Sequence, residues 1–200
     1  STLVGSNSSI IGAGGTSQTI TFSDANDLVS FDGALGAGSI FGGSGNDTVV
    51  FLQDASVKAS TVFKLDAGDD SLHFVGNTLS GQFGAGAGND FIGGAVTIGN
   101  SDVSFWGGAG NDEFSFDTFT GASGSTAYFW NDAEGVDSIT FGDAISQASG
   151  VGAFFGISLG VASGLEISFA ASQGSENFGS NGLSSLFAIG ANQGNNVTFG

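Results

Sequence analysis

A glycine- and aspartate-rich segment recurs along this chain, and the recurrence limits what the chain can fold into. Four close copies of the pattern G-G-x-G-N-D-x-U-x, in which U is apolar, span residues 42–50, 65–73, 85–93 and 107–115, and weaker copies lie at 26–31 and 135–141. A fixed period of about 20 to 50 residues is typical of solenoids and related repeat folds. The sixth position of the motif is occupied by Asp27, Asp47, Asp70, Asp90, Asp112 and Asp137, at spacings of 20, 23, 20, 22 and 25 residues.

A short run of alternating apolar and polar residues follows each of these aspartates. Period two predicts a strand with one buried face, so that Val49 and Phe51 point inward. The residues between such positions, including His73 and Ser115, are predicted to point outward. One close copy departs from the pattern, because Gly94 stands where a phenylalanine is expected.

A second strand is predicted before each glycine turn. One unit of about 22 residues then contains a strand, a variable loop, a second strand and the turn, which leaves no room for a helix. Units of this size bury their apolar face only by stacking on one another, which predicts an all-β parallel β-solenoid of about nine coils, each of roughly 20–25 residues with one Gly-Asp turn. The second strands are predicted at Ser39–Phe41, Thr61–Leu65, 82–83, Ser104–Trp106 and Ala127–Trp130.

The repeat weakens toward both ends of the chain. Asn7 and Asn196 stand where the close copies carry aspartate. We therefore expect residues 1–141 to form the regular solenoid and residues 142–200 to form degenerate continuation coils of the same domain. Phenylalanines occupy strand-like positions in the second region, at Phe154, Phe155, Phe169, Phe178, Phe187 and Phe199.

The composition excludes several classes of function. The chain has 37 glycines and 19 acidic residues against two lysines, for a formal net charge of −17. Neutralising phosphates needs clustered Lys and Arg, so nucleic acid is excluded as a partner. The absence of cysteine excludes disulfides and thiolate metal sites. No run of about 20 predominantly apolar residues occurs, so no membrane insertion is expected.

The same composition indicates that folding needs an additional source of stability, and a cation would serve. Glycine loses more backbone freedom on folding than any other residue, and net charge of one sign opposes the compact state. Twenty phenylalanines provide a large apolar area to bury. A bound cation would offset the remaining repulsion.

The repeat resembles the nonapeptide of the RTX (repeats-in-toxin) calcium-binding family over residues 27–141. This resemblance implies a parallel β-roll with calcium held between the turns of successive coils. It implies aspartate ligands at Asp27, Asp47, Asp70, Asp90, Asp112 and Asp137, so that six turns hold up to about five Ca²⁺ ions. It also implies carbonyl ligands near Gly43, Gly45, Gly68, Gly86, Gly88, Gly108 and Gly110, with Asp24, Asp66 and Asp132 as candidate supplements.

One feature departs from the family pattern. Family arrays repeat every nine residues and bind calcium on both edges, whereas only one turn per coil carries the motif here. The opposite turn is expected to be a variable loop, as at 53–58 and 121–125. The expected calcium ladder is therefore confined to one edge.

The sequence gives little support for catalysis. His73 is the only histidine and is expected on the surface, and no nucleophile elbow, phosphate loop or zinc motif occurs. We therefore expect no enzymatic activity. Trp106, Trp130 and Tyr128 are read either as solenoid packing or as a platform for a sugar ring.

These features predict a secreted, calcium-dependent structural protein, a subunit of an extracellular surface layer or filament at the cell surface. The composition resembles that of bacterial S-layer proteins and cyanobacterial oscillin-like surface proteins. The uncharged segments 1–15 and 183–200 favour head-to-tail self-association, because an open sheet edge invites pairing. The alternatives are an adhesin module that binds a cell-surface glycan and the RTX tail of a larger secreted enzyme or toxin.

Overall fold

Every regular element in the described part of the chain is a β-strand. The computed structural model describes residues 2–4, 8–11, 18–121, 127–130, 135–141, 146–147, 155–158, 164–169, 186–189 and 196–199, with side-chain surroundings for 19–99, 101–120, 127–128 and 135–140. None of these residues belongs to a helix that is long and apolar enough to cross a membrane. The strands are β1 (Thr2–Val4), β2 (Ser8–Ile11), β3 (Gln18–Phe22), β4 (Leu28–Asp32), β5 (Ala34–Leu35), β6 (Gly38–Ser44), β7 (Thr48–Phe51), β8 (Ser56–Val57), β9 (Thr61–Ala67), β10 (Ser71–Ala87), β11 (Phe91–Ala109), β12 (Glu113–Gly121), β13 (Ala127–Trp130), β14 (Val136–Phe141), β15 (Ser146–Gln147), β16 (Phe155–Ser158), β17 (Gly164–Phe169), β18 (Leu186–Ile189) and β19 (Asn196–Phe199).

Two faces of the molecule are built from the two predicted strands of each unit. We call the face that follows the aspartates the post-Asp face, formed in order by β2, β4, β7, β10, β11, β12, β14, β17 and β19. The pre-Gly face is formed by β1, β3, β6, β9, β10, β11, β13, β16 and β18. All these pairings are parallel, which confirms the predicted all-β parallel solenoid.

The segment predicted as a variable loop contains a third, short face. β5 pairs with β8, β8 pairs with Thr78 of β10, and Thr78 pairs with Thr97 of β11. Inward residues of this face, such as Leu35 and Leu79, are buried. The expectation of a plain loop at 53–58 was therefore wrong, because strands of two or three residues are too short to show a periodic pattern.

Columns of stacked phenylalanine rings fill the interior. On the post-Asp face the ring centroids of Phe51 and Phe74 are 4.9 Å apart, and on the pre-Gly face those of Phe63 and Phe83 are 5.2 Å apart. Edge-to-face contacts join the two columns, as between Phe51 and Phe63 at 5.1 Å. The predicted alternation is confirmed, since these rings are buried. Burial of each such side chain stabilises the fold by roughly 1.5–3 kcal/mol.

The irregular copy at Gly94 is compensated from the opposite face. Gly94 pairs with Phe74 and Phe116, and the register with β12 shifts directly after it. Its φ is +111°, and a Cβ there would collide with the Phe74 carbonyl oxygen. The ring of Phe105 lies 6.3 Å from that of Phe74 and 5.5 Å from that of Phe116. Phe105 therefore bridges the gap that the missing side chain leaves in the column.

Parallel pairing continues beyond residue 141. Phe141 pairs with Phe169 and Phe169 with Phe199, while Phe155 and Phe187 lie in β16 and β18. The predicted strand positions Phe154 and Phe178 lie outside the described residues. The division of the chain at residue 141 stays a prediction.

Removal of the bridging ring is expected to destabilise the solenoid strongly. Phe105→Ala should lower the free energy of unfolding by about 3–5 kcal/mol, because it creates a cavity beside Gly94, which has no side chain to fill it. Phe41→Ala, on the outward side of β6, is the matched control and should cost about 1 kcal/mol or less. Urea unfolding monitored by circular dichroism measures both, and equal losses would contradict the bridging role of Phe105.

Candidate metal centre at the glycine turn

The six predicted aspartates form one buried row along an edge of the solenoid. The exposed fraction of each residue is between 1% and 3%. Acidic residues are almost never this buried unless they are paired. The structure therefore brings together all six predicted side-chain ligands, Asp27, Asp47, Asp70, Asp90, Asp112 and Asp137.

One oxygen of each carboxylate after Asp27 joins adjacent coils. The backbone N–H of Asp27 donates to Oδ1 of Asp47 at 2.9 Å, and that of Asp47 donates to Oδ1 of Asp70 at 2.7 Å. The same bond recurs at 2.7, 3.0 and 2.7 Å through Asp90, Asp112 and Asp137. We call this series the inner ladder. It fixes the register of every turn relative to the next.

The other carboxylate oxygen is buried without a partner along much of the row. Oδ1 of Asp27 and Oδ2 of Asp47, Asp70 and Asp90 accept no hydrogen bond from the described residues. Oδ2 of Asp47 lies over Gly42, where a Cβ would come within 2.8 Å of it. A buried charged oxygen without a donor is costly. Each of these oxygens therefore requires a proton or a cation.

The electrostatics of the row leads to the same requirement. Burial raises the pKa of Asp47 to about 6, and the carboxylate of Asp27 adds to the shift. Burial likewise raises the pKa of Asp70 and of Asp90 to about 7, each against the lowering effect of its backbone hydrogen bond. Charged neighbours, including Asp69, raise both further. These three carboxylates accordingly resist ionisation when no cation accompanies them.

A second ladder runs along the surface beside the first. The backbone N–H of Asn46 donates to Oδ1 of Asn26 at 2.9 Å, and the N–H of Asp69 donates to Oδ1 of Asn46 at 3.0 Å. The series continues at 2.8, 3.0 and 2.8 Å through Asn89, Asn111 and Val136. This outer ladder has the opposite polarity, because its acceptors belong to the preceding coil. An Asn or Asp precedes every ladder aspartate except Asp137, and this recurrence was the available sequence signal for the outer ladder.

The turn glycines are required by close approach between coils. A Cβ on Gly68, whose φ is +143°, would collide with the carbonyl oxygen of Gly45. The Gly45 carbonyl therefore points at the glycine of the next coil, while the Gly45 N–H donates to the Ala67 carbonyl at 3.0 Å. The predicted carbonyl donors occupy these turns, at Gly43, Gly45, Gly68, Gly86, Gly88, Gly108 and Gly110.

The donor set fits a hard cation between coils. Among the described residues no three His, Asp or Glu side chains converge on one point. An ion here would instead use the second oxygens of two successive aspartates, with backbone carbonyls of the turn as further oxygen donors. Of the suggested supplements, Asp24 and Asp66 are exposed and Asp132 lies outside the described residues. His73 is exposed as predicted, with its ring 4.9 Å from that of Phe91.

No protein-family model, curated protein or solved structure matches this chain. The resemblance to the RTX family therefore rests on the motif. The structure supports the coarser description of a parallel β-solenoid with a row of buried aspartates.

Stability without metal should fall as the pH rises. A carboxyl with an ordinary pKa of 3.8 in the unfolded chain and about 7 in the folded chain holds its proton more tightly when folded. Between these values the unfolded chain ionises first, so the free energy of unfolding decreases with increasing pH. In calcium-free buffer we expect more β-structure by circular dichroism at pH 5 than at pH 8. An increase in stability from pH 5 to pH 8 would contradict the raised pKa of these buried aspartates.

Proposed function

We propose that this chain is a calcium-dependent structural protein that folds as the ions neutralise its buried aspartate row. The observation that carries the proposal is the series of buried carboxylate oxygens without partners, at Asp27, Asp47, Asp70 and Asp90. When bound, calcium supplies positive charge to those oxygens and links adjacent coils. The inner ladder holds the carboxylates in place, and the glycine turns allow the coils to approach.

Calcium is favoured over other metals by the chemistry of the donors. The turn offers carboxylate and carbonyl oxygens, and neither cysteine nor histidine, which suits a hard cation. Successive strands lie about 4.7–4.9 Å apart, roughly twice the calcium–oxygen distance of 2.3–2.6 Å. Two successive carboxylates are therefore suitably spaced to share one ion.

A structural role outside the cell is supported by the organisation of the chain. The described strands from β1 to β19 belong to one sheet, and their pairings are parallel. We propose that the protein is secreted and forms part of a surface layer or filament at the cell surface, with subunits associating head to tail. Calcium-dependent folding would suit export, because a chain without calcium remains unfolded until it reaches a calcium-rich medium.

Removal of calcium is expected to unfold the protein. One variant of the inner ladder should distinguish the loss of a calcium ligand from the loss of a buried charge. Asp90→Asn should raise the calcium concentration at the folding midpoint by at least about tenfold, because a ligand is lost. The same change should stabilise the calcium-free chain, because it removes a buried charge. Circular dichroism during calcium titration, from an EGTA-treated start, measures both effects.

The matched control for this experiment is Asp69→Asn. Asp69 lies in the exposed outer ladder, where other coils carry asparagine. The calcium concentration at the folding midpoint of this variant should therefore differ from that of the unmodified protein by less than about threefold. A full β spectrum in EGTA at pH 8, together with an unchanged midpoint in Asp90→Asn, would overturn the calcium proposal.

Assembly is tested separately from folding. We expect electron microscopy and sedimentation to show calcium-dependent filaments or sheets of the folded protein. Folded monomers at millimolar calcium would refute the surface-layer or filament role while leaving calcium-dependent folding intact.

A further inference from the structure

The outward side of the pre-Gly face contains an open cleft, which reaches the glycine turns at Gly86 and Gly108. The cleft has a volume of about 440 Å³, which lies within the usual range for small-molecule sites. Its polar rim is formed by Lys64, Asp66 and Gln82, one wall is Trp106, and the floor includes Gly84. Strands β9, β10 and β11 contribute these residues.

The cleft exists because one side chain is missing from a column of large ones. Phe41, Lys64, Gly84, Trp106 and Trp130 are successive partners in the parallel register. Adjacent strands are about 4.8 Å apart, so the slot between Lys64 and Trp106 spans roughly 9.6 Å. Gly84 leaves this space open.

The fold does not require glycine at position 84. A Cβ there would meet only the Phe63 carbonyl oxygen, at 3.5 Å, which is an ordinary van der Waals contact, and Gly84 has no positive φ. By contrast, Gly86 and Gly108 have φ values of +131° and +108°, and a Cβ on either would collide with the preceding coil. Glycine within a strand is destabilising relative to alanine, because it loses more backbone freedom on folding. The open slot therefore costs stability without serving the stacking of coils.

The lining indicates what fills the slot. Trp106 is half-buried, so part of its indole contributes to the cleft wall, while Lys64 and Gln82 are exposed at the rim. A sugar ring has apolar C–H faces that stack on indole, and its hydroxyls pair with ammonium, amide and carboxylate groups of the kind carried by Lys64, Gln82 and Asp66. The net charge of −17 opposes acidic ligands. We propose that this cleft binds a neutral saccharide, with one ring stacked on Trp106 above Gly84.

The test uses full-length protein folded in calcium and a Trp130→Phe background, so that Trp106 is the only fluorescent indole. The probes are cellobiose, maltotriose and diacetylchitobiose, with tri-galacturonate as the acidic comparison. We expect a saturable change in Trp106 fluorescence with at least one neutral probe. Gly84→Val, which fills the slot, should weaken that binding at least about tenfold, and calorimetry should show a similar loss for Trp106→Ala.

The matched control is Ser115→Val, which introduces a valine on the outward side of the post-Asp face. This variant should leave saccharide binding unchanged. Circular dichroism checks that each variant is folded, and Gly84→Ser serves as a smaller filling change if Gly84→Val unfolds. Absence of saturable binding by every neutral probe would overturn the proposal. So would tighter binding of tri-galacturonate, or full affinity in a folded Gly84 variant.

Discussion

The structure depends on the burial of a row of carboxylates along one edge of the solenoid. One oxygen of each ladder aspartate after Asp27 accepts a hydrogen bond from a backbone N–H of the preceding coil, which sets the register of the turns. The second oxygen, as in Asp70 and Asp90, is buried without a donor, which raises the pKa of both residues. The bond that orders the coils thus places charge where water cannot reach it. Coil stacking and cation binding are for this reason two consequences of one arrangement.

The two ladders explain why the turn needs its particular residues. The inner ladder uses acceptors from the following coil and the outer ladder uses acceptors from the preceding coil, so each turn is bonded to both neighbours through adjacent residues, as at Asn46 and Asp47. Glycine at position 68 lets the backbones approach closely enough for these bonds. Four residues after Asp47, Phe51 enters the aromatic column. The register set at the edge therefore also aligns the rings in the core.

Sequence reasoning could predict the elements that repeat strictly and missed those that do not. The Asp spacing and the alternation around Phe51 predicted the solenoid and the buried row. The third face escaped because its strands are only two or three residues long, as at Ser56–Val57. The compensation of Gly94 by Phe105 was also not predicted, because it joins positions on opposite faces that no local sequence pattern relates. The two hydrogen-bond ladders were not predicted for another reason. The motif shows which residues recur, but it does not show which atoms form hydrogen bonds.

Glycines in this fold serve two different purposes, and the distinction separates the edge from the faces. In the turns, a Cβ would collide with the backbone of the neighbouring coil, so glycine is a condition of stacking. At position 84 a Cβ would meet only ordinary contacts. Side chains on the outward faces take no part in the ladders or the aromatic columns, so they can change without loss of register. The stability of this solenoid resides in one edge and in the core. The loss of a single outward side chain can therefore create a ligand cleft without disturbing the stacking of coils. Gly84, beside Trp106, has the properties expected of such a position.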